Sequence, residues 1–258
     1  MDIITGMHRS GTSLVARLFL EAGADLGPAD SFYRPDRWNP DGYFEQPDIH
    51  AVNMPLINGP WGRFAYFKLP ATRTILARAE RRREQIARTA AKYEHKVVKE
   101  TRFCLTLPAW LAHGAPIRRV LVCLRDPVVV VDSIHRRNWI GRGLGYRLWL
   151  VHLERLLAHA GDLPLWFVRY ENLLEPSTFE SELRPALHFL DLAPDDRRLQ
   201  AMREKVVKPH WSHSPRRRAE PPPRVQQLWR RLGELHAGQG RQNMLHSVTD
   251  SSGTDSGP

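Results

Sequence analysis

The sequence predicts a three-layer α/β domain in which helices cover both faces of a central parallel sheet. Four short runs of valine, isoleucine and leucine alternate with longer segments whose apolar residues recur at helical spacing. The runs are apolar throughout, as expected for strands that are buried between two helical layers. The chain has 258 residues, enough for one large α/β domain, and 42% of them are hydrophobic, which provides for a substantial core.

The order of the elements follows from these patterns. Asp126 and Pro127 indicate a helix start, because aspartate is a favoured N-cap and proline fits the first turn. Asp48 is expected to cap another helix in the same way. The segment 26–47, rich in proline and aromatic residues, predicts a long ordered loop, which in compact domains is usually functional. We expect strands at 3–5, 97–99, 120–124 and 165–168, and helices at 12–22, 49–58, 72–93, 127–138, 146–159, 179–190 and 225–236.

Composition limits the domain organisation and the kind of partner. Residues 1–237 are expected to form a single domain, and residues 238–258, which end SVTDSSGTDSGP, a disordered polar tail. The net charge of +10 favours an anionic partner: a nucleic acid, a membrane surface or a small polyphosphorylated ligand. A strand that starts at the second residue leaves no room for a signal peptide, and no segment approaches the roughly 20 apolar residues of a membrane span.

Two cysteines occur, Cys104 and Cys123, and both lie among apolar residues. This pattern predicts two buried thiols, with neither a disulfide framework nor zinc-ligand spacing. We therefore expect a soluble protein in a reducing compartment, the cytoplasm.

The most informative segment is GMHRSGTS, residues 6–13, between the first strand and the first helix. Two glycines five residues apart and a pair of hydroxyls at a helix start are typical of a loop whose backbone N–H groups bind an anion. A nucleotide triphosphatase would have lysine directly before the last hydroxyl, where this chain has Thr12, and here the cation is Arg9. The segment predicts an anion site that needs no metal; the alternative is a glycine-rich turn with an exposed arginine.

A second candidate site follows the third strand, in VLVCLRDPVVVVDSIHRRN. Arg125 lies at the carboxyl end of the strand, Ser133 nearly two turns into the next helix, and Arg137 four residues further on the same face. A cation and a hydroxyl so placed could bind a second phosphate. Alternatively, Arg125 forms a salt bridge and Ser133 bonds to its own helix, and this pattern alone does not decide.

These two segments resemble the donor-binding motifs of sulfotransferases that use 3′-phosphoadenosine 5′-phosphosulfate (PAPS). The family's first motif is Gly-x-x-[Arg/Lys]-[Ser/Thr]-Gly-Thr-[Ser/Thr], which residues 6–13 match, and its second is Arg-[Asp/Asn]-Pro, five residues, Ser, three residues, Arg, which residues 125–137 match. LWFVRYENLL is similar to the family's last-strand segment, and VVKETRFCLTLPAW to another, apart from Glu100 and Thr101. The resemblance spans roughly residues 3–192 and implies the P-loop-like form of the three-layer fold.

The resemblance implies a PAPS-dependent sulfotransferase without a metal, which moves the sulfuryl group to a hydroxyl of a small-molecule or carbohydrate acceptor by in-line displacement. PAPS is then the donor co-substrate, and Arg125 and Ser133 bind its 3′-phosphate. The residues implied at the phosphosulfate are His8, Arg9, Ser10, Gly11, Thr12 and Ser13.

Such a transfer needs a base for the acceptor hydroxyl and cations for the bridging oxygen of the leaving nucleotide. Arg9 is the first candidate cation, and Lys99 the second, because its strand ends at the same edge of the sheet. Alternatively, Lys99 forms an ordinary salt bridge with Glu100 or with a carboxylate of the loop. Glu45 follows two aromatic residues whose cover would raise the pKa of its carboxyl group, and it is the predicted base; the alternative is a salt bridge in the loop. Some members of the family use Glu and others His, so His50 is the alternative base.

Two other classes of protein fit parts of the sequence. A P-loop kinase would explain the first segment but not Thr12, and it would require magnesium. A nucleic-acid-binding domain would explain the charge, but the arginines are scattered and no recognition motif is present, so we expect neither a nucleic-acid nor a membrane partner. The oligomeric state is left open.

The sequence leaves three features without an assigned functional role. Residues 216–218, three arginines, could close over the nucleotide or form a solvated turn. His210 and His213 are expected to be surface residues. Several aromatic residues near the predicted site would suit a sugar ring or an apolar natural product equally well; they are Phe32, Tyr33, Trp38, Tyr43, Phe44, Trp61, Phe64, Tyr66 and Phe67.

Overall fold

The fold is built on a four-stranded parallel sheet with the strand order β2-β1-β3-β4. The computed structural model describes residues 1–37, 39–59, 69–207 and 220–250, with side chains through residue 239. Each strand lies within a residue of its predicted bounds. The strands are β1 (Asp2–Thr5), β2 (Val97–Lys99), β3 (Arg119–Leu124) and β4 (Leu165–Arg169).

Helices connect the strands and flank the sheet in the described part of the chain. They are α1 (Thr12–Glu21), α2 (Pro47–Asn58), α3 (Thr72–Glu80), α4 (Arg83–Lys92), α5 (Phe103–Ala112), α6 (Pro127–Asn138), α7 (Arg142–His159), α8 (Tyr170–Leu174), α9 (Phe179–Phe189), α10 (Asp196–Val206) and α11 (Pro223–Asp250). Asp126 caps α6 as predicted, because its carboxylate accepts a hydrogen bond of 2.8 Å from the backbone N–H of Val128.

Two separate hydrophobic clusters show that the domain has three layers. Successive residues of a strand point to opposite faces, so Ile3 and Val120 enter one cluster while Ile4 and Leu121 enter the other. The first cluster is completed by α2 to α7 and α11, and the second by α1 and α8 to α10. The predicted three-layer fold with a parallel sheet is therefore confirmed.

Two local predictions were wrong. The segment 72–93 is not one helix, because the backbone of Arg82 leaves the helical region (φ −126°, ψ 12°) and separates α3 from α4. Asp48 is not an N-cap either, because α2 begins one residue earlier and Gln46 occupies the cap position. The Asp48 carboxylate instead accepts hydrogen bonds from Lys92 (2.6 Å) and from the Tyr93 hydroxyl (2.7 Å).

Helix α5 was missed because it has no amphipathic pattern. Most of its residues are buried, from Phe103 to Trp110, since it packs against the helices α2, α3, α4 and α7. A helix that is apolar on all sides carries no 3.6-residue period from which it could be recognised. The helix α10 was also not predicted.

The helix α11 extends beyond the expected start of the tail and protects the sheet edge. Its Gln239 side chain accepts a hydrogen bond from the backbone N–H of Phe167 (2.8 Å) and donates one to the carbonyl of the same residue (2.7 Å). Phe167 lies on β4, the edge strand, whose backbone groups would otherwise be open to further pairing. The single domain and the disorder of the tail remain predictions.

Both cysteines are buried free thiols, as predicted. Burial raises the pKa of Cys104 to about 12, which leaves little of the reactive thiolate at neutral pH. Over the described ranges, no helix is both long enough and apolar enough to span a bilayer.

Candidate active site

The loop between β1 and α1 has a backbone shape that depends on two glycines. Gly6 has a φ of 150°, and a side chain there would lie 2.6 Å from the carbonyl oxygen of Cys123. Both the backbone N–H (3.0 Å) and the hydroxyl (2.6 Å) of Ser10 donate to the carbonyl of Met7, which turns the loop back on itself. Gly11 (φ 91°) is then the N-cap of α1. The first N–H groups of a helix have no partners within it, so they are available to an anion in the loop.

Two features require glycine at position 11: its positive φ and the Tyr170 ring, which leaves no room for a side chain. A Cβ atom there would lie 2.1 Å from the ring of Tyr170. We expect Gly11→Ala to reduce the free energy of unfolding more than Gly114→Ala does, by about 1 kcal/mol or more. Gly114 is the matched control, because it also has a positive φ (72°) but nothing lies within 4 Å of its Cβ position. Urea denaturation of the two variants measures the difference, and equal losses would show that Tyr170 does not restrict the loop.

Arginines converge beside this loop. The Arg9 guanidinium donates to the hydroxyl of Ser133 on α6 (2.9 Å), and Arg125, just after β3, donates to the carbonyl of Arg9 (3.1 Å). Burial, together with the like charges of Arg137 and Arg125, lowers the pKa of Arg9. Mutual repulsion among arginines is costly unless an anion offsets it, so this cluster has the electrostatics of an anion site.

The aromatic ring of Tyr170 contacts both Arg125 and the loop after β1. The guanidinium of Arg125 lies 4.1 Å from the centre of this ring, in a cation–π contact. The same ring packs against Gly11. The Tyr170 side chain therefore lies between the loop and Arg125 and contacts both. The sequence reasoning did not single out Tyr170, although it lies in the segment LWFVRYENLL that resembles the family's last-strand segment.

The segment 26–47 is an irregular loop, as predicted, and hydrogen bonds attach it to the anion site. Asn39 donates to the hydroxyl of Ser13 in α1 (3.1 Å). Arg137 of α6 donates to the hydroxyl of Tyr43 (3.2 Å). The loop therefore contacts both segments, 6–13 through Ser13 and 125–137 through Arg137.

Glu45 forms a buried ion pair with Lys99 at the carboxyl end of β2. The Lys99 ammonium donates to the Glu45 carboxylate at 2.5 Å, and the two side chains are 2% and 11% exposed. We expected aromatic cover around Glu45, but its closest charged neighbour is this cation. The structure thus joins two of the predicted catalytic residues, which are 54 positions apart in the chain.

The side chain of His50 faces the carboxylate of Glu100 rather than the Glu45–Lys99 ion pair. Its Nδ1 is 3.6 Å from a carboxylate oxygen of Glu100, and its ring packs edge-on against Tyr33 with centroids 5.1 Å apart. Burial would raise the pKa of Glu100, but Arg102, at 2.7 Å, and His50 outweigh it and hold that pKa well below its usual value. From the sequence, Glu100 stood out as a departure from the family segment and as a possible partner of Lys99, whereas Arg102, its actual partner, was not singled out.

Glu45, His50 and Glu100 could in principle hold a metal ion, since one ligand atom from each lies within 4.8 Å of the others. Their chemistry fits a cation poorly. Lys99 already neutralises Glu45, and Arg102 neutralises Glu100, so a divalent ion would have to compete with two positive groups in contact with its ligands. We therefore assign no metal to this cluster.

A cavity of about 510 Å³ opens beside the loop, large enough for a drug-sized molecule. His8 lies in its wall, and the hydroxyl of Thr101 is 2.9 Å from His8 Nδ1. Removal from water, followed by the charge of Arg102, lowers the pKa of His8 well below its usual value. The lining residues are His8, Arg9, Tyr43, Glu45, Met54, Ile57, Asn58, Leu69, Arg102, Leu105, Ile134, Arg137, Asn138, Ile140 and His152.

The predicted site residues thus fall into three groups. Arg9 bonds to Ser133 and accepts a hydrogen bond from Arg125, His8 and Glu45 line the cavity, where Glu45 pairs with Lys99, and His50 is not among the residues that line it. Of the aromatic residues expected around the acceptor, Tyr43 lines the cavity, while Phe32 and Phe44 pack against a core cluster. Several predicted features lie outside the described residues: Trp38, Trp61, Phe64, Tyr66, Phe67, His210, His213 and residues 216–218.

Comparison with known proteins supports the fold. No protein-family model matches the chain, and no curated protein matches it. Among solved structures, the sulfotransferase domain of the Synechococcus PCC 7002 olefin synthase superposes with a TM-score of 0.50 and 16% identity, over 92% of this chain and 94% of that one. This chain has the fold of a bacterial sulfotransferase. The sulfotransferase STF1 of Mycobacterium tuberculosis also matches, with a TM-score of 0.43 and 18% identity, over 78% of this chain and 70% of that one.

The predicted resemblance to sulfotransferases is therefore confirmed at the level of the fold. The sulfotransferase-like sheet places the carboxyl ends of β1, β2 and β3 side by side, since β1 lies between the other two. The loop after β1, Glu100 after β2 and Arg125 after β3 consequently meet at one edge, where ligands of open α/β sheets bind.

Proposed function

We propose that this protein is a sulfotransferase that transfers the sulfuryl group of PAPS to a hydroxyl group of an acceptor. The observation that carries the proposal is the convergence of Arg9, Arg125 and Ser133 on the loop after β1, within a fold shared with bacterial sulfotransferases. A half-buried arginine whose pKa is lowered by removal from water and by two other arginines fits a ligand with several negative charges better than a surface turn.

The residues at the loop are suited to the two anionic ends of PAPS. The first N–H groups of α1 and the guanidinium of Arg9 would hold the phosphosulfate, and Arg125 with Ser133 would hold the 3′-phosphate. PAPS supplies an activated sulfuryl group and a nucleotide as leaving group. Arg9 would neutralise the charge that develops on that leaving group, a task that needs no metal ion.

Glu45 is the residue proposed to accept the proton of the acceptor hydroxyl. Its carboxylate lines the cavity, whereas His50 is turned toward Glu100, and this placement favours Glu45 over the alternative base. Lys99 would act through Glu45, because its ammonium holds one oxygen of the carboxylate at 2.5 Å and so orients the other.

Binding of the desulfated product tests the proposal directly. We expect adenosine 3′,5′-bisphosphate to raise the melting temperature by several degrees without added metal, because ligand at about 100 times its Kd adds about 2.7 kcal/mol to the free energy of unfolding. Adenosine monophosphate lacks the second phosphate and should have a much smaller effect. Differential scanning fluorimetry in EDTA measures both shifts. Equal shifts would contradict the assigned roles of Arg125 and Ser133, and a strict magnesium requirement would favour a kinase.

A further inference from the structure

The cavity beside the loop has two chemically different ends. One end carries Arg9 and Arg137, which belong to the anion site, together with Glu45. The remaining wall has six apolar and six polar residues; the polar ones are His8, Tyr43, Asn58, Arg102, Asn138 and His152. Its apolar members are Met54, Ile57, Leu69, Leu105, Ile134 and Ile140.

The charged groups near these apolar residues are already neutralised by protein partners. Arg102 contacts Glu100 at 2.7 Å, and Glu45 contacts Lys99 at 2.5 Å. His152 bonds through Nδ1 to the carbonyl of Leu148 (2.7 Å), and burial lowers its pKa to about 4, so it is neutral at physiological pH. A carboxylate or a phosphate on the acceptor would find no unoffset positive charge among these residues.

From this geometry we infer that the acceptor is a neutral alcohol with a mainly apolar body, rather than a sugar. The inference rests on the proposed sulfotransferase function and names the substrate class for the same site. The reacting hydroxyl would lie near Glu45, with the apolar body against Met54 and Leu69. Four polar residues of the wall, His8, Tyr43, Arg102 and His152, already bond to protein groups. Asn58 and Asn138 could each bind a hydroxyl of a sugar, but its other hydroxyls would lie against the aliphatic side chains and lose their bonds to water.

A matched pair of two-ring acceptors tests the inference. We expect 4-cyclohexylcyclohexanol to accept sulfate from PAPS with at least tenfold higher kcat/KM than trehalose, with the product identified by mass. In the presence of adenosine 3′,5′-bisphosphate, the apolar alcohol should also raise the melting temperature, whereas trehalose at the same concentration should not. A preference for trehalose would overturn the inference, as would the absence of any shift with the alcohol.

Variants of the apolar wall give a second readout. Met54 and Leu69 are only partly buried, so Met54→Gln and Leu69→Gln should fold, and each should raise KM for the alcohol roughly tenfold by placing an amide against its apolar body. Leu20→Gln is the matched control, because Leu20 is also half-buried against a core cluster but does not line the cavity. An unchanged KM in both wall variants would contradict the inference.

Failure of this inference and failure of the proposed function give different results. If the bisphosphate binds and trehalose accepts sulfate better, the protein is a sulfotransferase and only the acceptor class is wrong. If the bisphosphate does not bind and neither compound accepts sulfate, the proposed function itself fails, and the inference fails with it.

Discussion

Glu45→Gln is expected to lower kcat by about 10²–10⁴ while leaving the affinity for adenosine 3′,5′-bisphosphate unchanged. Glutamine keeps the size of the side chain, and its carbonyl oxygen can still accept the hydrogen bond from Lys99, but it cannot take a proton. The substitution also leaves the buried Lys99 ammonium without its counter-charge, which destabilises the fold. Rates should therefore be measured well below the melting temperature of the variant, and bisphosphate binding by calorimetry on the same sample.

Two further variants separate the base from other roles. Glu80→Gln makes the same chemical change at an exposed position, where Glu80 pairs with Arg83 (3.2 Å) and lies 4.0 Å from His113, and it should keep full activity. His50→Ala removes the alternative base. If Glu45→Gln turned over normally and His50→Ala did not, the base would be His50 and the proposed sulfotransferase function would stand. The variant that lacks the true base should also lose the acidic limb of the pH–rate profile.

Arg125→Ala is expected to weaken binding of adenosine 3′,5′-bisphosphate roughly 10- to 150-fold, since a hydrogen bond to a charged group contributes about 1.5–3 kcal/mol. The loss should be specific to the second phosphate. Adenosine monophosphate should lose much less affinity, so the ratio of the two dissociation constants reports the role of Arg125. Ser133→Ala should change the same ratio by a smaller factor, because its hydroxyl is neutral and also accepts a hydrogen bond from Arg9. Isothermal titration calorimetry provides both constants.

A surface arginine controls for the change in net charge. Arg88→Ala removes one positive charge from α4, where the side chain is 75% exposed and pairs with Glu84, and nucleotide affinity should not change. Arg125 also donates to the backbone of Arg9 and lies on the Tyr170 ring, so its removal can disturb the loop. If Arg125→Ala unfolded the protein, and Arg125→Lys restored the fold with unaltered nucleotide affinity, the residue would be structural.

Local sequence was sufficient to predict the strands and the glycine-rich turn that precedes α1. Residues 6–13 contain within eight positions the glycines that allow the turn and the hydroxyls that begin α1, so their geometry follows from near neighbours. The same holds for Asp126, which caps the helix that it precedes. The strands were recognised because burial on both faces leaves an uninterrupted apolar run. By contrast, the helix α5 is buried on all sides and has no period that could distinguish it.

The sequence by itself therefore determined the layered fold and the two segments, 6–13 and 125–137, on which the proposed donor site is built. Only the tertiary structure decided which side chains meet at the cavity. It paired Glu45 with Lys99, turned His50 toward Glu100, and brought Met54 of α2 and Ile134 of α6 to the lining of the same cavity. The physical reason is the separation along the chain between the residues that come into contact. A turn or a helix cap depends on residues a few positions apart, whereas an ion pair across 54 residues or a cavity wall shared by several helices depends on how whole elements pack.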